Sequence, residues 1–272
     1  MMTKTRTQLE ALCLLQDDDL PLDRMALLFA AEHQHDHTFD VSVYLQQLDA
    51  FAASFKTQFS KPTSAQLVQY LHQELQFSGN TQHYNRIDNS FFNRVLELRR
   101  GIPITLALVH LSVAERVDLS AEGINFPGHF LVRFNGPDEL LIDPFTGRRL
   151  SRSDCEVLLK QNLGQHARLT EAHLAPASRR AFLMRLIENM KQCYWRERAW
   201  MSAEHCLNQQ RLLEPEQPVL KLQLGNVKEL RGDLDAARAL YASLIQLAKD
   251  SDVGKLAAQR LLAMGGSKHQ IH

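Results

Sequence analysis

The segment opening at Gly101-Ile102-Pro103 limits the possible folds more than any other stretch of the chain. Ile104, Leu106, Ala107, Leu108, Leu111, Val113 and Ala114 cover more than one face of the helix that Pro103 starts. Such a helix has to be enclosed, so other elements must build a layered core around it. With 272 residues, 44% of them hydrophobic, the chain has material for that core without disulfide support.

The hydrophobic period predicts what does the enclosing. Over residues 1–85 apolar positions recur at three and four, as in Leu9, Leu12 and Leu15 or Leu45, Leu48, Phe51 and Phe55. Pro21 and Pro62 each enter a helix near its first turn, and Ser78-Gly79-Asn80 closes the last, which makes three or four helices. A further helix from Phe91 to Leu98 is expected to end at Gly101. From Ala121 the period becomes extended: Ile124 and Phe126, then Phe130 to Val132 with Phe134, then Leu140 to Ile142. Pro127-Gly128 and Asn135-Gly136-Pro137-Asp138 are the turns between these strands. Ser151 or Ser153 then caps a return to helix that lasts to the end, apart from a loop at Ala175-Pro176.

The expected class is therefore α+β and predominantly helical, with a small antiparallel sheet. Its parts are a helical subdomain over 1–85, a core over 86–165, connecting helices over 166–198 and a repeat-like helical segment over 199–265. In that last part Ala199 to Glu214 stops before Pro215, and Leu224-Gly225, Gly232-Asp233 and Ala236-Ala237 supply small residues ahead of Tyr241. The pattern resembles one and a half to two tetratricopeptide units, too few to bury their own face unaided.

Several classes of function are disfavoured. Thirty-one basic residues balance thirty-one acidic ones, so there is no global field to attract nucleic acid. The longest apolar-rich run, Ile102 to Val113, is broken by Thr105 and His110, and Met1 to Glu10 is polar; neither a membrane span nor an export signal is expected. Cys13, Cys155, Cys193 and Cys206 are scattered without a paired motif, as suits a reducing cytoplasm. No cofactor is expected.

Four motifs follow one another in the middle of the chain. They are Asn89-Ser90-Phe91-Phe92-Asn93-Arg94-Val95-Leu96, Arg99-Arg100-Gly101-Ile102-Pro103-Ile104-Thr105-Leu106-Ala107, Phe126-Pro127-Gly128-His129-Phe130-Leu131-Val132 and Ile142-Asp143-Pro144-Phe145. In this order the sequence resembles the SirB family of bacterial transglutaminase-like proteins with a tetratricopeptide tail. The resemblance implies a papain/transglutaminase-like core, in which a nucleophile at the start of a buried helix faces a His and an Asp on adjacent strands.

Such a triad needs a thiolate at a helix N-terminus, an imidazole to move the proton and a carboxylate to fix the imidazole tautomer. His129 and Asp143 suit the last two roles, one hairpin apart. The nucleophile is missing, because alignment through Ala107 sets Pro103 where the resemblance implies cysteine. A shift of two residues offers the Thr105 hydroxyl, which at that position more often bonds nearby backbone. Cys13 and Cys155 lie in other helices and read as inert buried thiols.

Arg99 and Arg100 precede the helix start, where backbone N–H groups favour anions, and would either grip an anionic ligand or pair with surface acids such as Glu97. Asn89 and Asn93 cap helices or line the same cleft. Glu32-His33-Gln34-His35-Asp36-His37 is rich in metal-ligand types, yet alternate loop residues rarely converge on one ion, so a solvated loop and no metal are expected. His269 and His272 belong to a terminal tail. The resulting expectation is a non-catalytic or weakly catalytic protein-interaction module that binds a protein partner through its C-terminal helical repeat and would act as a regulator only indirectly. Two alternatives remain open: an amide or peptide hydrolase or acyl transferase built on His129 and Asp143, and a sensor of a small anionic ligand.

Overall fold

A computed structural model describes residues 4–34, 39–136 and 139–266. Pro137 and Asp138 of the proposed turn, His35 to His37 of the histidine-rich segment, and the terminal His269 and His272 lie outside the described residues. The chain divides into two compact units, residues 1–186 and 187–272, with the boundary inside one helix.

The first unit is organised around α6 (Pro103–Arg116), and the expected enclosure is complete: Leu106, Ala107, Leu108 and Val109 have no exposed surface. Pro103 occupies its first turn, where the missing N–H costs no hydrogen bond. Before it come α1 (Lys4–Cys13), α2 (Leu22–His33), α3 (Val41–Gln58), α4 (Ser64–Gln69) and α5 (Phe92–Leu98). Leu27 of α2, Leu48 and Phe55 of α3, Leu67 of α4 and Val95 of α5 join α6 in one core. Thr63 and Gln66 form a capping box at the start of α4, which runs directly into a π-helical turn, Tyr70–Glu74.

The expected three strands are β3 (Ala121–Ile124), β4 (Leu131–Phe134) and β5 (Leu140–Asp143), and a short β6 (Arg148–Arg149) completes an antiparallel meander in that order. Alternation along β4 sends Val132 and Phe134 into the α6 core and Leu131 to the other face. There Leu131, Ile124 and Phe126 meet Cys155 and Leu159 of α7 (Arg152–Leu163), so the sheet is covered on both sides. Ser151 caps α7 in a reciprocal box with Asp154.

Two features differ from the sequence expectation. α5 ends at Arg99, in the left-handed region with φ 57°, rather than at Gly101. Gly101 instead belongs to β2 (Arg100–Gly101), which pairs in parallel with β1 (Ser78–Gly79). A two-residue pair has no periodicity to read, which is why it escapes a search for hydrophobic patterns. Its effect is large: the Gly79 amide donates across to the Phe145 carbonyl at 2.9 Å and the Asn80 amide to the Gly101 carbonyl at 3.0 Å. β1 thereby ties the entrance of α6 to the hairpin that follows Asp143.

α8 (Arg179–Arg196) carries the boundary between the units. In the second unit α9 (Trp200–Leu213), α10 (Pro218–Leu230), α11 (Leu234–Leu247) and α12 (Asp252–Gly266) follow as successive helices. Leu222, Ala237, Tyr241, Leu244, Ala257 and Met264 form a core shared by α10, α11 and α12. Gly225 is required where it stands, since a Cβ there would lie 2.5 Å from the Tyr241 ring. Lys191 is buried but satisfied by Glu188 at 2.6 Å, Gln223 at 2.6 Å and Gln210 at 3.1 Å. Among the described residues no helix is long and apolar enough to cross a membrane.

Candidate active site

His129 and Asp143 are in direct contact, with Nε2 of the ring 2.8 Å from Oδ1 of the carboxylate. The geometry follows from the register of the meander. Val132 faces Ile142, so Asp143 lies one step beyond the last paired residues, and His129 reaches it diagonally from the turn before β4. The resemblance implies a His on a strand; here His129 lies in the turn before β4. The Asn162 amide of α7 donates to the Pro127 carbonyl at 2.8 Å and holds that turn.

The Asp143-Pro144-Phe145-Thr146-Gly147 loop shapes the carboxylate. The Phe145 amide donates to Oδ1 and the Thr146 hydroxyl to Oδ2, both at 2.8 Å, while Gly147, at φ +73°, returns its amide to the Asp143 carbonyl at 2.8 Å. Burial pushes the Asp143 carboxyl up, but the hydrogen bond and charge of His129, then Thr146 and the Phe145 amide, outweigh it and hold the group below the usual carboxylate range. An ionised Asp143 keeps the proton of a neutral His129 on Nε2, leaving Nδ1 as the basic nitrogen. The side chains of both residues are 15% exposed, so the pair is sheltered yet reachable. Phe145 stands beside it, its ring centroid 6.4 Å from His129 and 6.0 Å from the half-exposed Tyr84.

Thr105 lies elsewhere in the bonding pattern. It is fully buried at the start of α6; its oxygen accepts from the Ile102 amide at 3.1 Å, and its hydroxyl is 2.8 Å from the Asn89 carbonyl and 3.1 Å from the Ile102 carbonyl. Asn89, also buried, donates to the His83 and Tyr84 carbonyls and accepts from Asn80, fastening the 80–89 loop over this helix start. Asn93 forms a reciprocal amide pair with Gln34 at 3.1 and 3.2 Å.

The arginines are occupied by the protein itself. The Arg99 guanidinium sits 4.5 Å from the Phe51 ring centroid and 4.7 Å from that of Phe77, and bonds the Leu96 carbonyl. Arg100 donates to the Gln76 and Arg99 carbonyls at 2.8 and 3.0 Å. Of the histidine-rich segment, His33 packs 5.8 Å from Phe91. Among the described residues no three potential metal ligands gather.

Three of the four cysteines are held away from the thiolate form. Burial raises Cys13 to about 11 against the pull of Arg180 and Arg6, and burial likewise raises Cys155 and Cys206. Cys155 sits in the apolar cluster under α7. Sequence reasoning missed His72 and His110, which pack together inside the first unit; His110 had shown only as an interruption in the apolar run.

The sequence pattern of the transglutaminase-like superfamily matches residues 42–188, the span that holds the enclosed helix, the meander and the His129–Asp143 pair. A UPF0162 protein of Xylella fastidiosa (strain 9a5c) is 32% identical over 250 residues, covering 86% of this chain and 88% of that protein. A UPF0162 protein of Pseudomonas aeruginosa is 45% identical over 100 residues, 37% of each chain. F-box only protein 21 of Mus musculus is 32% identical over 130 residues, 44% of this chain and 20% of that protein. The superfamily pattern over residues 42–188 and the UPF0162 relative, 32% identical across 86% of this chain, make this chain a member of the transglutaminase-like superfamily and of the UPF0162 family.

Proposed function

We propose that the protein is a transglutaminase-like domain that has given up covalent catalysis and acts by binding a protein partner through the α9–α12 segment. The observation that carries the reading is the start of α6, which presents Ile102 and Pro103, with the Thr105 hydroxyl buried and engaged by backbone. A pyrrolidine ring has no atom to attack an acyl carbon, and a hydroxyl is a weak nucleophile without an adjacent base. The tail is read as tetratricopeptide-like, in keeping with the SirB resemblance and with helices packed through small residues such as Gly225. A cytoplasmic setting and no role for nucleic acid complete the reading.

A second reading keeps the His129–Asp143 pair in use, with His129 as general base for an attacking water in amide, peptide or acyl hydrolysis. It is favoured by the three hydrogen bonds that orient Asp143, more than a packing residue requires. A sensor of small anions has less support, since Arg99 and Arg100 are engaged with rings and carbonyls.

Affinity capture from a bacterial lysate separates the first two readings. The intact protein would be compared with His129→Ala and with a tail variant, Leu256→Glu combined with Leu262→Glu, both sites being exposed. Capture that survives His129→Ala and is lost in the tail variant is expected. Loss in His129→Ala, or a hydrolysed partner recovered only with the intact pair, would move the function to the dyad.

A further inference from the structure

His72, on the π-helical turn, and His110, on α6, have ring centroids 5.1 Å apart and planes tilted by 38°. His110 is fully buried, with Nδ1 2.9 Å from the Leu106 carbonyl. Nε2 of each ring is buried and has no hydrogen-bond partner among the described residues. Buried polar atoms are seldom left unsatisfied, and two on adjacent rings call for a role. π-helical turns themselves concentrate at functional positions.

The other side of His72 meets the hairpin that presents Asp143. A Cβ on Gly147 would fall 2.8 Å from Cγ of His72, so the imidazole is packed directly under the loop backbone. The titratable groups facing the pair are each other, from the π turn and α6, and Asp143 from the end of β5, whose charge acts on both rings. The carbonyls of Phe77 and Leu106 are their polar neighbours, while Glu74, on the turn of His72, accepts from exposed Gln58.

We propose that the His72–His110 stack is an acid-sensitive latch beneath the Asp143 hairpin, which seats the loop while both rings are neutral and releases it when His72 takes a proton. His72 is the less enclosed of the two rings, half-buried where His110 is fully buried. Burial above all disfavours charge on both rings, and Asp143 offsets it only in part. The cation therefore gains hydration by moving out of the stack, and Gly147 loses the ring it is packed against. The latch concerns the seating of the loop and holds whether or not the dyad turns over a substrate.

Amide hydrogen exchange on the full chain, at about pH 7.5 and about pH 5, tests it across the range where a histidine can change charge. After correction for intrinsic rates, protection of the Gly147 and Phe145 amides is expected to fall at least about tenfold in the wild type and to stay constant in His72→Phe. An unchanged wild type, or an equal loss in His72→Phe, would overturn the proposal. Should His72→Phe fail to fold, the His72 ring of a His129→Gln protein is titrated by NMR. Shifts of the Phe145 and Gly147 amides that share its midpoint support the latch; amides that do not follow it refute it.

Discussion

The Thr146 hydroxyl donates to Oδ2 of Asp143 at 2.8 Å, on the oxygen opposite the one that His129 and the Phe145 amide share. The carboxylate is thus held from both sides by its own loop and by one long-range partner. Thr146→Val removes one donor at an exposed position and should cost about 0.5–1.5 kcal/mol, whereas Asp143→Asn, which removes the charge that three donors serve, should cost about 1–3 kcal/mol. Urea denaturation at neutral pH ranks the two; equal losses would mean the charge contributes nothing.

The same carboxylate gives a signed pH dependence. Its folded pKa lies below the ordinary carboxylate value, so its stabilisation is fully present above that value and is lost as pH falls through the folded one. The acid limb of a melting-temperature profile should therefore be shallower in Asp143→Asn than in the wild type.

His110, whose folded pKa is also depressed, adds a second loss of stability in acid. Burial, then the neighbouring His72, pushes its pKa down to about 3, while the unfolded chain takes up that proton near the ordinary histidine value. Above that value neither state is charged and there is no effect; below it stability falls with pH, by up to roughly 4 kcal/mol on reaching the folded pKa. Urea midpoints taken at descending pH should show this slope, and His110→Leu should flatten it.

Cys13, Cys155 and Cys206 should be slow to alkylate in the folded protein. Cys13 is held near 11, and Cys155 and Cys206 are raised by burial, so thiolate is scarce at neutral pH. Iodoacetamide labelling followed by mass spectrometry should find Cys155 and Cys206 unmodified until denaturant is added. Rapid native labelling of either would contradict the account of an absent nucleophile.

Gly225→Ala should destabilise the second unit by about 1–3 kcal/mol, because the Tyr241 ring has to move to admit the methyl group. The Tyr241 hydroxyl is anchored on Asn226 at 2.8 Å and Glu229 at 2.9 Å, which limits that movement. Tyr241→Phe in the same background should recover part of the loss in a thermal melt by freeing the ring.

Much of the architecture is legible locally. Pro103 marks the start of α6, Ser151 caps α7, and the change to an extended period at Ala121 marks the sheet. The Asp143-Pro144-Phe145-Thr146-Gly147 turn is likewise local, since its carboxylate bonds residues two and three places on. These signals depend on backbone preference and hydrophobic period, which neighbours in sequence express without help from the rest of the chain.

The sequence by itself determined the helical and extended segments, the enclosed helix and the absence of cysteine at its start. Only the tertiary structure decided what the candidate residues touch. Arg99 stands before a helix start in sequence, yet its guanidinium lies against Phe51 and Phe77, brought there by α3 and by the segment after the π turn. Thr105 is bonded to a carbonyl sixteen residues away, and His72 meets His110 across two helical segments. The physical reason is that a side chain's partners are set by packing between distant segments, whereas its secondary structure is set largely by adjacent residues.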